Sequence, residues 1–158
     1  MIRHPEKFML EAISLSKENI KNATGGPFGA VIVKGGEIIS GGSNHVTTHN
    51  DPTAHAEIEA IRAACKKLNS FSLEGCEIYT SCEPCPMCLS AIYWARIDKI
   101  YFANSREDAA ELDFDDEFLY REINKENHNR KIPMVQMLRE EAIKVFNDWK
   151  HKKDKIHY

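Results

Sequence analysis

No stretch of this chain approaches the roughly 20 apolar residues that a membrane-crossing helix needs, and the opening MIRHPEKFML lacks the apolar run of a signal peptide. The expected setting is the cytoplasm, with no membrane partner. Positive charge is short as well: 21 Lys and Arg against 24 Asp and Glu give a formal net charge of -3. That balance offers no general attraction to a phosphate backbone, so nucleic acid is not expected as a partner, although residues 150–155 are locally basic. Internal repeats, low-complexity tracts and domain linkers are also lacking, which leaves one globular domain over residues 1–158 as the expectation. Five cysteines are too few and too unevenly placed for a disulfide framework; three crowd into TSCEPCPMC, residues 80–88, and fit thiols that bind metal or stay free in a reducing compartment.

What is present reads as a soluble core of alternating elements. Apolar residues make up 42% of the 158 positions, enough to bury a core without staples. Residues 5–22 carry Phe8, Met9, Ala12, Ile13 and Ile20 near helical spacing, with Pro5 in the first turn. FGAVIV and IIS are short β-branched runs joined through Gly35 and Gly36, a hairpin signature that predicts antiparallel pairing. DPTAHAEIEAIRAACKKL predicts a helix capped by Asp51 or Thr53, its buried stripe running through Ala54, Ile58, Ile61, Cys65 and Leu68. CEIYTS, PMCLSAIYWA and IDKIYFA then read as strand, helix and strand. Residues 105–133 are polar and acidic with helical pieces at 107–111 and 116–123, MVQML is a candidate final strand, and 139–150 a last helix. The alternation predicts an α/β fold with helices on both faces of a mixed or parallel sheet.

The cysteine cluster contains two overlapping C-x-x-C pairs. Pro86 favours a helix start, which puts Cys85 at its cap and Cys88 in its first turn, where both sulfurs can meet one ion, and leaves Cys82 at the strand end as a bystander. His55, at the opening of the preceding helix, is the candidate third ligand. Three protein ligands with a fourth position left for water are the mark of catalytic zinc, and Glu57 is placed to move a proton to and from that water. The rival assignment makes Cys82 a fourth ligand that closes the site, giving a non-catalytic zinc-stabilised binding domain. Cys65 and Cys76 read as core thiols, His45 and His49 as loop residues, and Glu59 as a solvent-facing partner of Arg62.

H-A-E followed by P-C-P-M-C resembles the signature of zinc-dependent nucleobase deaminases. The chain is similar to the cytidine deaminase-like superfamily through GGPFGAVIVKGG, NHVTTHNDPTAHAEIEAIRAAC, YTSCEPCPMCLSAIYWA, FDDEF and the closing Tyr158. NDPTAHAE, FDDEF and the terminal tyrosine point to the branch that acts on guanine. The resemblance implies a three-layer α/β/α fold around a five-stranded mixed sheet. It also implies one Zn2+ per subunit on His55, Cys85 and Cys88, with Glu57 as proton shuttle, and hydrolysis of a purine base, guanine, to xanthine and ammonia. Another base, cytosine or the adenosine of a transfer RNA, is the alternative substrate.

By the same resemblance Phe28, Asn44, Asp116 and Tyr158 contact substrate. Read without it, Phe28 is a core residue at a strand start, Asn44 ordinary turn chemistry, and Asp116 a helix cap or surface charge with Asp115 as its rival. A homodimer in which the C-terminal segment is exchanged, with Pro133 near the hinge, completes what the resemblance implies.

Overall fold

The run Val31-Ile32-Val33 can be buried throughout only if both faces of its strand are covered, because successive side chains point to opposite sides. The structure, a computed structural model describing residues 4–158, meets this with three layers. β1 (Gly29–Lys34) turns Ala30 and Ile32 toward a cluster built with α3 (Ala56–Leu68) and α4 (Pro86–Trp94). Val31 and Val33 pack on the other side against Phe8 and Ala12 of α1 (His4–Lys21). The expected α/β architecture is the one observed.

Direction in the sheet brings the important ends together. The strands lie in the order β2-β1-β3-β4, with β2 spanning Glu37–Ser43, β3 Cys76–Cys82 and β4 Lys99–Asn104. β1 is antiparallel to both β2 and β3, and β4 is parallel to β3. Two reversals leave β2, β3 and β4 pointing the same way, so Ser43, Cys82 and Asn104 end at one edge, where β1 begins. The loops from that edge lead into α2 (Val46–His49) and α3, into α4, and into α5 (Arg106–Ala110). The β1–β2 hairpin lies at the opposite edge, with φ of +58° and +81° at Gly35 and Gly36, angles that side chains with a Cβ resist.

α3 lies very close to β2. A Cβ on Gly42 would sit 2.3 Å from the Ala56 carbonyl oxygen and 2.5 Å from the Ala60 nitrogen. Only small residues fit the facing side of the helix, and its fully buried apolar positions are Ala56, Ala60 and Ala64. The stripe expected from the large residues is therefore displaced: Ile61, Cys65 and Leu68 flank the contact and are only partly buried. The cap differs as well. Asp51 accepts the Thr53 N–H and hydroxyl at 2.8 and 2.7 Å, closing a turn ahead of the helix, and the cap position falls to His55.

Among the described residues the sheet has four strands, not the five implied by resemblance. MVQML forms no strand, and Met134, Val135, Met137 and Leu138 are exposed. These residues belong to the second of two units into which the chain divides, the first ending at Glu117 and the second being Phe118–Tyr158. α6 (Asp116–Ile123) crosses that boundary in sequence. Within the second unit Arg130 donates to the carbonyls of Glu122 and Ile123, both at 3.1 Å, and α7 (Arg139–His151) follows. No helix among the described residues is long and apolar enough to cross a membrane.

Candidate active site

His55 and Cys85 occupy equivalent positions, each the N-cap of a helix with extended backbone, and neither uses its side chain to cap. Both are free to reach past the helix ends that the sheet edge brings together. Nδ1 of His55 lies 3.6 Å from Sγ of Cys85 and 3.5 Å from Sγ of Cys88, which sits one turn into α4. Zinc at its usual ~2.3 Å from sulfur and ~2.0–2.1 Å from nitrogen, with tetrahedral angles, sets S and N about 3.5 Å apart. Both nitrogen–sulfur distances thus suit one ion, and the three ligand atoms all lie within 4.8 Å of one another.

Electrostatics agree with that geometry. A hydrogen bond with Cys88 holds the Cys85 thiol down at about 4, and the same bond, with burial, pushes Cys88 up, so the pair parts readily with one proton. The Cys85 sulfur raises His55 through their hydrogen bond. A donor set with one sulfur already anionic at neutral pH, beside two positive helix ends, suits a thiophilic cation. All five cysteines are free thiols. Cys82 is buried at the end of β3 and stands outside the ligand group, its Sγ 3.7 Å from the Ser105 carbonyl oxygen. Burial pushes its thiol up to about 12, so it stays protonated.

Glu57 is buried two residues beyond His55, in the first turn of α3, and burial raises its carboxyl above the usual range. The Thr80 hydroxyl lies 3.4 Å from Glu57 Oε1 and 3.0 Å from the Cys82 carbonyl oxygen. A carboxyl poised toward its neutral form beside a group of candidate metal ligands has the character of a proton carrier.

His55, Glu57, Cys82 and Cys85 line a cavity of about 380 Å³, within the range of small-molecule sites. Phe28 and Phe114 form one apolar wall, edge to face with centroids 4.9 Å apart. Asn44 is buried on another wall; its Oδ1 takes the N–H groups of Gly26 and Val46 at 3.4 and 3.3 Å, which leaves the amide NH2 as the group to donate inward. Asp116 lines the cavity half-buried, its carboxyl raised chiefly by burial, whereas Asp115 is exposed. Tyr158 lies in the second unit and is exposed there.

Several residues that line or tie the cavity walls carried no signal in the sequence. Phe114 opens the FDDEF motif, where the carboxylates drew attention. Glu83 accepts the Arg106 N–H at 3.0 Å and pairs with its guanidinium at 3.2 Å. Asn19, on what reads as a polar helix face, is buried and donates to the carbonyls of Gly26 and Asn44 at 2.8 and 2.9 Å, tying two walls together. His45 and His49 cap and close α2 rather than lying in a loop, and Glu59 is half-buried against Arg62 at 2.9 Å.

Residues 2–104 match the family model described as the cytidine and deoxycytidylate deaminase zinc-binding region. The chain is 52% identical over 153 residues to guanine deaminase of Bacillus subtilis (strain 168), covering 97% of this chain and 98% of that one. The X-ray structure of guanine deaminase from Bacillus subtilis matches with a TM-score of 0.94, with the same identity and the same shares covered. A tRNA-specific adenosine deaminase of Aquifex aeolicus (strain VF5) is 54% identical over 77 residues, 49% of this chain and 51% of that one.

Proposed function

The chain belongs to the cytidine and deoxycytidylate deaminase zinc-binding family, and from that membership we propose that it is a zinc-dependent guanine deaminase, hydrolysing guanine to xanthine and ammonia. One observation carries the choice of substrate. The likeness to guanine deaminase runs through 97% of the chain, into the second unit, whereas the likeness to the adenosine enzyme covers 49%.

His55, Cys85 and Cys88 hold one zinc ion per subunit in this reading, supported by their spacing and by the thiolate character of Cys85. The ion would supply the Lewis acidity that makes water a nucleophile near neutral pH. Glu57 takes a proton from the attacking water as its oxygen bonds to C2, and delivers that proton to N3. It then takes the remaining hydroxyl proton and passes it to the exocyclic nitrogen, so that the C2–N bond breaks, ammonia leaves and the C2 carbonyl of xanthine forms. The two protons of water are thereby accounted for, one on N3 and one on ammonia. A buried carboxyl suits both transfers because its neutral form is stabilised between them.

The remaining assignments follow from the chemistry of the walls. The flat ring of guanine stacks against Phe28, and the Asn44 NH2 donates to a ring acceptor. The Asp116 carboxylate accepts from the exocyclic amino group; its half-buried position in the cavity favours it over exposed Asp115. Tyr158 closes the site from a partner subunit of a homodimer in a cytoplasmic enzyme. Support for the exchange comes from residues 118–158, none of which is buried while Ile132, Val135, Phe146 and Tyr158 are all more than two-thirds exposed. A segment with so much apolar surface and no core of its own gains by docking on another copy.

The test is ammonia release from purified zinc-loaded protein incubated separately with guanine, adenine, cytosine and their nucleosides. Release from guanine is expected; release from cytosine or an adenosine but not guanine would overturn the reading.

A further inference from the structure

A second group of side chains able to ligate a metal joins α2 and α3, none of it lining the cavity of the His55 site. His45 and His49 are four residues apart across the single turn of α2, so their rings fall on one side; the centroids are 4.8 Å apart and the planes 26° from parallel. Glu59 of α3 faces them, and one ligand atom from each of the three lies within 4.8 Å of the others. A second observation points the same way: Nδ1 of His45 is buried and, among the described residues, is the single buried side-chain nitrogen or oxygen without a hydrogen-bond partner. A buried imidazole nitrogen with nothing to bond is costly, and a coordinated cation answers it.

We propose that His45, His49 and Glu59 form a second divalent-cation site, of the two-histidine, one-carboxylate type that takes zinc. Tetrahedral coordination needs donors about 3.3–3.4 Å apart. His49 is exposed and free to turn, so its ring can close the remaining distance. Glu59 now pairs with Arg62, which argues against the site unless that guanidinium has another anchor. It has one: Arg62 also lies 3.5 Å from Asp51 Oδ2 and 3.3 Å from Thr53 Oγ1, so it keeps a carboxylate partner when Glu59 turns to a cation.

The ion would brace the cavity without entering it. α2 supplies Val46 and Thr47 to the cavity wall, and α3 carries Glu57. Cross-linking His45 and His49 to Glu59 fixes the one helix against the other, in addition to the existing bond from the His45 N–H to the Ala54 carbonyl at 2.9 Å.

Equilibrium dialysis of the full chain against zinc, at free concentrations buffered in the micromolar range, tests this. Two equivalents per chain are expected for the unaltered protein and one for His49→Ala, with the second-site affinity of Glu59→Gln reduced by at least about ten- to a hundredfold. Neither residue lines the cavity, so both variants should keep their first zinc and their turnover. The melting temperature of the unaltered protein should rise with zinc beyond the first equivalent, and that of His49→Ala should not. A single equivalent in the unaltered protein, or a second that survives both substitutions, overturns the proposal.

Discussion

Glu57 shows how little of a residue's chemistry its type alone conveys. Surface glutamates are ionised at neutral pH, but burial favours the neutral form here, and Thr80 and Cys88 surround the carboxyl with hydrogen-bonding groups. Glu57→Gln keeps the shape and removes the exchangeable proton. Zinc content measured by elemental analysis should be unchanged, and kcat should fall by about 10²–10⁴-fold, the usual worth of a positioned acid–base group. Retained full activity would remove Glu57 from the mechanism. Cys82→Ser asks the complementary question of a thiol that burial keeps protonated: metal and turnover should both survive, whereas loss of metal would make Cys82 a ligand and the site closed. The grouping of His55, Cys85 and Cys88 was legible in the sequence because C-x-x-C and H-x-E spacings are local. Phe114, Glu83 and Asn19 were not, since each acts across segments far apart in the chain, and nothing in their own neighbourhoods distinguishes them from core or surface residues.

At the level of elements, the short polar α2 reads as loop, whereas α1, α3, α4 and the four strands of the first unit follow from hydrophobic periodicity, and the hairpin from Gly35-Gly36. The buried face of α3 does not, because reading for large apolar residues overlooks a contact made by alanines where two backbones meet. Gly42 is the other half of that contact, and Gly42→Ala tests it. The added Cβ would meet main-chain atoms of Ala56 and Ala60, which no rotamer change can move aside. Overpacking of this kind costs typically ~1–3 kcal/mol. The loss should appear in the denaturation midpoint, together with a fall in kcat, because α3 carries Glu57 and starts beside His55. Asn19→Ala attacks the same edge through its polar ties. One buried and one partly buried carbonyl lose their donor, for about 1–3 kcal/mol, and because the Gly26 loop and Asn44 both face the cavity, KM should rise more than kcat falls. Equal effects on stability with unchanged KM would leave Asn19 a purely structural residue.

For the whole molecule, the decisive matter is the second unit, where periodicity found both helices but misread MVQML. Its apolar residues imitate a strand, yet a strand is defined by its partner, and no described strand pairs with it. If the unit completes the site of another copy, two separately defective proteins should repair each other. Glu57→Gln spoils the proton transfer in its own site, and deletion of Tyr158 spoils the closure of whichever site that tyrosine covers. Unfolding and refolding the two together at equal amounts gives mixed dimers in half of the molecules. With exchange, one site in each mixed dimer carries both defects and the other carries neither, so activity should recover to about a quarter of the unaltered protein's. Without exchange every site in the mixture keeps one defect, and the mixture should be no more active than its parts.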